Sequence, residues 1–226
     1  MVPSGQVTSL AERLAALPPP LPERLRLVAV AAEQRAWLVG GSVRDLLLGR
    51  DLGDVDVVVE RDPCELLRGL PVRLLKTTTF GTATVAWADG STWDIVRARG
   101  ERYPMPAALP VTWPADLATD LARRDFGINA IACGVGETSW GALVDTTGGL
   151  EDLARRQVRA LHPESFRDDP TRLFRALRFA ARLGFALEVP TARLLRAAVR
   201  AGLVDALSHD RLRHELEHSL GEPGGD

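Results

Sequence analysis

The stretch Trp37-Leu38-Val39-Gly40-Gly41-Ser42-Val43-Arg44-Asp45, followed by Asp54-Val55-Asp56-Val57-Val58-Val59, decides how this chain is read. Trp37 to Val39 is short, apolar and extended; Gly40-Gly41 breaks the strand, and Val43 to Leu48 reads as helix. Ser42 is expected as the N-cap, with Asp45 three residues later completing a capping box. The glycines let a backbone approach phosphate oxygens closely, and the helix start offers unpaired N–H groups. Arg44, in the first turn, gains nothing from the helix dipole and needs an anionic partner, for which a nucleotide triphosphate would serve. In the second strand side chains alternate, so Asp54 and Asp56 share one face while Val55 and Val57 point to the interior. Two carboxylates side by side repel unless a cation lies between them, and hard oxygen ligands of this kind suit Mg²⁺ with phosphate oxygens completing its shell. Each piece also has a plain structural reading: a Gly-Gly turn can be only a turn, and a D-x-D pair only a solvated strand face. One short helix apart, the two pieces specify more together than either does alone.

At 226 residues the chain is long enough to bury a real core, as one large domain or two small ones. Its 46% hydrophobic and 26% charged residues are ordinary for a soluble globular protein. No apolar run reaches the length of a membrane span, and the N-terminus lacks a secretory pattern. Cys64 and Cys133 are isolated, without metal-type spacing, which points to buried small hydrophobes in a reduced, cytoplasmic setting. The formal net charge of −2 gives no global argument for nucleic acid. Locally, eleven arginines face four acidic residues between Arg155 and Arg200, in a chain whose one lysine is Lys76.

A short helix is expected from Leu10 to Leu17, stopped by Pro18-Pro19-Pro20, and a second from Pro22 to about Gln34. Strands are expected near 37–39, 55–59, 72–75, 82–87 and 91–97, with helices at about 43–48 and 62–68. The spacing around Asp89-Gly90 suggests an antiparallel pair, and so a mixed sheet with helices packed on one side. Tyr103 to Pro114 holds four prolines and no periodicity, and reads as a loop beside the active-site cleft. Thr147-Gly148-Gly149 marks a domain edge; beyond it helices are expected at roughly 149–155, 170–184, 190–201 and 208–219, then a frayed polar tail from Gly221 to Asp226.

Later segments extend the chemistry. Asp94, between Trp93 and Ile95, alternates onto a strand face opposite Trp93 and is either a third carboxylate or an exposed strand residue. Arg123-Arg124-Asp125 has aliphatic neighbours that suggest partial burial, which also fits a structural ion-pair network. Asp169-Pro170 has the form of an N-cap and first-turn proline. After it Arg172, Arg175, Arg178 and Arg182 recur at helical spacing along one stripe, with Leu173, Phe174, Leu177 and Ala181 expected to pack on the other side.

Four ordered motifs resemble those of the class II tRNA nucleotidyltransferase and bacterial poly(A) polymerase superfamily. They are Gly40 to Asp45 with Asp54-Val55-Asp56; Phe80-Gly81-Thr82-Ala83-Thr84-Val85 with Asp94 through Tyr103; Arg123-Arg124-Asp125-Phe126-Gly127-Ile128-Asn129-Ala130, similar to RRDFTxNA; and Asp168 to Phe179, similar to the EDxxR helix. The resemblance runs from about Trp37 to the C-terminus and departs at Gly127, where the family usually has threonine. It implies an α+β head of the polymerase-β type over residues 1–148, with a helical extension at 1–35, and an all-helical neck over 149–226 that selects the base.

By the same resemblance, Asp54, Asp56 and Asp94 would be catalytic, holding two Mg²⁺ ions for phosphoryl transfer, and Asp94 would help take the proton from the attacking hydroxyl. Nucleotide binding would fall to Gly40, Gly41, Ser42, Arg44, Arg123, Arg124, Asp125, Asn129, Asp169, Arg172, Arg175 and Arg178. Asp169 would accept from the exocyclic amine of cytosine or adenine while Arg172 donates to the ring nitrogen, and guanine or uracil would mismatch both. Arg175 and Arg178 would contact phosphates or brace Asp169. The implied substrates are ATP, CTP or both and the 3′ end of tRNA, with no membrane partner and oligomeric state open. CC-, A-, CCA- and poly(A) addition are not separated. A small-molecule nucleotidyltransferase would not need the Asp169/Arg172 helix, and a silent RNA-binding module would not need intact carboxylates. Family members continue into tRNA-holding regions after the pattern Arg211-Leu212-Arg213-His214-Glu215-Leu216. This sequence therefore suggests a minimal enzyme, a truncated one, or one with a partner for RNA grip.

Overall fold

The computed structural model describes residues 9–221. In chain order its helices and strands begin with α1 (Leu10–Ala15), α2 (Leu21–Ala31), β1 (Ala36–Val39), α3 (Gly41–Leu47), β2 (Val55–Val59) and α4 (Pro63–Leu66). Next come β3 (Arg73–Thr77), β4 (Thr82–Ala86), β5 (Thr92–Arg97), β6 (Arg99–Arg102), β7 (Val111–Pro114), α5 (Leu117–Ala122), β8 (Ala132–Gly134) and β9 (Leu143–Val144). The remainder is α6 (Gly149–Ala154), β10 (Gln157–Val158), α7 (Ser165–Asp168), α8 (Thr171–Leu183), β11 (Ala186–Leu187), α9 (Val189–Arg200) and α10 (His209–Leu220).

The chain forms two compact units, the first from residues 1–98, 114–117 and 131–144, the second from 99–113, 118–130 and 145–226. A single boundary at 148/149, as the sequence suggests, would leave residues 99–113 and 118–130 with the first unit; here they cluster with the later helices. The first unit holds a seven-stranded sheet of order β3-β4-β5-β2-β1-β8-β9. Every described pairing in it is antiparallel except β2 with β5, so the sheet is mixed, as expected. β4 and β5 form the hairpin read at Asp89-Gly90, and Gly90 takes the positive φ of 86° that the turn needs. Leu38, Val57, Ile95 and Val85 are fully buried on one face of adjacent strands and make the centre of the core. β3 is exposed along its whole length at the sheet edge.

β8 and β9 are absent from the sequence reading. At three and two residues they are too short for alternation to show, yet β8 completes the register of β1 through Leu38↔Cys133. A side chain at Gly134 would meet the Ser139 carbonyl oxygen at 2.4 Å, so the strand must carry glycine there. The stretch 103–114 is likewise not wholly loop, because Val111–Pro114 pairs with β6. In the second unit, helices dominate, but β10 and β11 form a two-residue parallel ladder, so the segment after residue 149 is not all helical. The polar tail read at 221–226 lies, beyond Gly221, outside the described residues.

α8 corrects the reading of its faces. Leu173, Ala176, Phe179 and Leu183 are its buried apolar residues, and Arg172 is buried with them, while Leu177 and Ala181 are exposed. Helical spacing identifies stripes but not which one meets the core. The buried stripe runs through positions 172, 173, 176, 179 and 183, and Phe126 packs edge-on against Phe179 at 5.9 Å.

Candidate active site

In the first unit, Gly40 sits at φ 65°, ψ −133°, a conformation only glycine adopts without strain, and this turns the chain from β1 into α3. The helix therefore begins two residues earlier than the capping box required. Ser42 is inside it, buried, and is not the N-cap. Its hydroxyl instead reaches β2, donating to the Asp54 carbonyl oxygen at 2.7 Å and accepting from the Asp56 N–H at 3.3 Å. One hydroxyl thus fixes the backbone on both sides of Val55. Asp45 does not complete a capping box either: it holds the Arg44 guanidinium in a two-pronged pair at 2.9 and 2.8 Å, and Arg44 is buried. The anionic partner that Arg44 requires is its own neighbour.

Asp54 is exposed at the mouth of β2, and Asp56 and Asp94 are half-buried between buried Val55, Val57, Trp93 and Ile95. Parallel pairing brings Asp56 and Asp94 directly side by side, and antiparallel pairing puts Thr84 next to Asp94. The Thr84 hydroxyl donates to Asp94 Oδ1 at 2.6 Å. Neighbouring strands lie about 4.8 Å apart, so the two carboxylates emerge from one sheet face within reach of a shared ion. Among the described residues, no three His, Cys, Asp or Glu side chains are gathered closely enough to hold an ion by themselves. The donor set nevertheless fits Mg²⁺, which is held by one or two carboxylates and takes its other oxygens from water and phosphates.

In the second unit, the two arginines of the Arg123-Arg124-Asp125 run turn to Asp120, not to Asp125. Arg123 donates to Asp120 Oδ1 at 3.0 and 2.6 Å, and Arg124 to Oδ2 at 3.2 and 2.9 Å. Arg123 also reaches Glu101 at 3.1 Å. Burial works against the charge on Asp120, but Arg124 and Arg123 outweigh it and hold the carboxyl below its ordinary range. Asp125 is held by Arg175 at 2.9 and 2.6 Å and by the Asn129 amide at 3.2 Å, and it caps Phe126 N–H at 2.8 Å. Its burial too is overcome, by Arg175 and then Arg172, so it is held ionised. Arg175 therefore braces Asp125 rather than Asp169, and Arg178 stands 3.7 Å from Glu215.

Gly127, where the resemblance expects threonine, is packed tight. A Cβ there would lie 1.9 Å from Asp152 Oδ2 and 2.9 Å from Arg159 Nη2. The Asp152 carboxylate, bound by Arg159 and Gln157, occupies the space a side chain would need.

Asp169 Oδ1 accepts from Thr171 N–H at 3.0 Å, from the Thr171 hydroxyl at 2.6 Å and from Arg211 at 2.7 Å. All three bonds fall on one oxygen. Arg211 also donates to the Ala107 carbonyl at 2.8 Å, and its bond to Asp169 ties α10 to the carboxylate that the family resemblance links to base selection. Sequence reasoning did not assign Arg211, although the Arg211 to Leu216 pattern was the available signal; its partner lies 42 residues away. Arg172 is buried, donating to the Ser165 hydroxyl at 2.8 Å and the Arg123 carbonyl at 3.1 Å, with Glu101 at 3.5 Å. Beside it, burial and then Arg172 itself hold His162 below the usual imidazole range.

The family described as Poly A polymerase head domain matches residues 36–159. The A-adding tRNA nucleotidyltransferase of Aquifex aeolicus is 45% identical over 192 residues, covering 83% of this chain and 23% of that protein. The CC-adding tRNA nucleotidyltransferase of Deinococcus radiodurans is 43% identical over 192 residues, covering 82% and 50%. A solved CCA-adding enzyme, apo form II, superposes with a TM-score of 0.88 at 38% identity, covering 96% of this chain and 53% of the other. The Thermotoga maritima CCA-adding enzyme complexed with tRNA gives 0.80 at 36% identity, covering 96% and 51%. Two further CCA-adding enzyme structures, with ATP and with CTP, each give 0.83. The chain spans about a quarter to half the length of these proteins.

Proposed function

The chain belongs to the Poly A polymerase head-domain family, and on that premise we propose that it carries the head of a template-independent RNA nucleotidyltransferase. The reaction adds CMP, AMP or both, from CTP and ATP, to the 3′ end of tRNA. The observation that carries this reading is the in-register placement of Asp56 beside Asp94, with Asp54 at the strand mouth and Ser42 holding the backbone around them. The names of the relatives and the ATP, CTP and tRNA complexes of the solved neighbours support it. A cytoplasmic setting suits two unpaired cysteines, and no helix of the described residues is long and apolar enough to cross a membrane.

Asp54, Asp56 and Asp94 are the residues we assign to Mg²⁺, which when bound neutralises charge on the triphosphate and on the attacking oxygen. Asp94, its Oδ1 oriented by Thr84, faces the same side as Asp56 and is placed to receive the hydroxyl proton through its other oxygen. The Gly40-Gly41 turn is the segment we assign to phosphate oxygens, and Arg44 Nη2 lies 3.4 Å from where a Gly41 Cβ would be. Asp169 keeps its Oδ2 for the exocyclic amine of cytosine or adenine, because its other oxygen takes the bonds from Thr171 and Arg211. The head at residues 1–148 and the selecting segment at 149–226 are the division of labour we assign.

The test is single-nucleotide incorporation on tRNAs ending before CCA, after C, after CC and after CCA. Incorporation of CTP, ATP or both, with GTP and UTP rejected, is the expected outcome. Asp169→Ala should relax that rejection more than it slows addition, since the repulsive contact with a guanine carbonyl is lost. Incorporation without base preference in the wild type would overturn the selecting role, and no incorporation on any tRNA would overturn the substrate.

A further inference from the structure

His214 and His218 stand one turn apart on α10, both exposed, with their Nε2 atoms 3.1 Å from each other and their rings nearly perpendicular at 88°. Residues four apart on a helix project from the same face, and two imidazoles so placed form the two-nitrogen grip that helical metal sites use. Nitrogen atoms at the usual 2.0–2.1 Å from a zinc-sized ion, and separated as these are, would subtend an angle of about 100° at the ion. That lies between the right angle of square or octahedral nickel and copper and the wider tetrahedral angle of zinc. We propose that His214 and His218 form a binding site for a borderline divalent ion, Zn²⁺, Ni²⁺ or Cu²⁺, across one turn of α10.

The chemistry of binding is a tautomer change. The two Nε2 atoms stand at hydrogen-bonding distance, which for two neutral rings requires one to carry its proton on Nε2 and the other on Nδ1. When the ion binds, an Nε2 proton on a neutral ring moves to the Nδ1 of the same ring, so that both Nε2 lone pairs face the ion. Imidazole nitrogen prefers these ions over Mg²⁺, so the site is chemically distinct from the aspartates of the first unit.

The surroundings also rule out one role for the site. His214-Glu215-Leu216-Glu217-His218 has the H-E-x-x-H form, in which the first glutamate serves as general base in metalloproteases. Here Glu215 is buried and stands 3.7 Å from Arg178. No third His, Cys, Asp or Glu joins the pair in a metal-holding group among the described residues. The remaining coordination positions go to water, and the ion clips adjacent helical turns together instead of activating a nucleophile.

Isothermal titration of Ni²⁺ into the untagged full chain, in excess Mg²⁺ to occupy oxygen sites, tests this. One equivalent is expected to bind, with at least a tenfold loss of affinity in both His214→Gln and His218→Gln and none in His209→Gln. Because both rings are exposed, the folded state of each variant can be checked by its melting curve without metal. An isotherm unchanged by the two substitutions, or no binding to the wild type, would overturn the proposal.

Discussion

Asp94 in β5 has a neutral hydroxyl, that of Thr84, on its Oδ1, and stands beside another aspartate on the next strand. Asp120 in α5 is completely buried, with one arginine on each of its oxygens. The two regions draw on the same residue types. In the first, carboxylates are crowded together and left partly open to water. In the second, each buried carboxylate is matched with guanidinium before it leaves water. Crowded like charges cost stability and are the mark of a place where something cationic is to arrive; matched charges stabilise only their surroundings. The Arg123-Arg124-Asp125 motif, which the family resemblance assigns to nucleotide binding, belongs largely to the second kind in this structure.

Substitutions can break that contrast. Asp56→Ala should lower nucleotide incorporation by at least about 10²-fold, the scale for losing one electrostatic group at a reacting centre. Its melting temperature should stay level or rise, because a like-charge neighbour of Asp94 has gone. Incorporation at the wild-type rate would remove the strand end from the chemistry. Asp120→Ala should do the opposite, costing roughly 3–5 kcal/mol of folding stability by stranding Arg123 and Arg124. Denaturant unfolding reads this directly, and a loss under about 1 kcal/mol would show the network to be as replaceable as a surface ion pair. The smallest effect concerns Gly127→Thr, where overpacking against Asp152 should cost about 1–3 kcal/mol. The paired change Gly127→Thr with Asp152→Ala should then be more stable than the two single costs added together. Strict additivity would mean that the glycine is there for its backbone and not for the space it leaves to Asp152.

The sequence made the D-x-D strand legible because two aspartates in an otherwise valine-rich run can only face outward together. It could not reveal that Asp94 lies in register with Asp56, since β2 and β5 pair in parallel across more than thirty intervening residues. Ser42 shows how a local signature misleads. S-x-x-D describes a capping box and a helix-buried serine equally well, and the positive φ of Gly40 decides between them. The arginine stripe of α8 was visible at its period, but the core takes a stripe that includes Arg172, because Ser165, Glu101 and the Arg123 carbonyl supply polar partners there. Of those partners only Ser165 is near it in sequence, seven residues away, and Glu101 and Arg123 are not. Arg211 escaped for the same reason.

The bond between Arg175 and Asp125 joins residues 50 positions apart. Translation delivers roughly 5–20 residues each second, so Asp125 is added to the chain roughly 2–10 s before its arginine is. Until then it is an ordinary hydrated carboxylate, with no reason to enter a core. The first unit has its last strand by Val144, whereas the segments 99–113 and 118–130 must wait for the helices made after residue 145. The second unit thus joins early segments to partners that are synthesised later, and a buried ion pair is one of the bonds that closes across that interval.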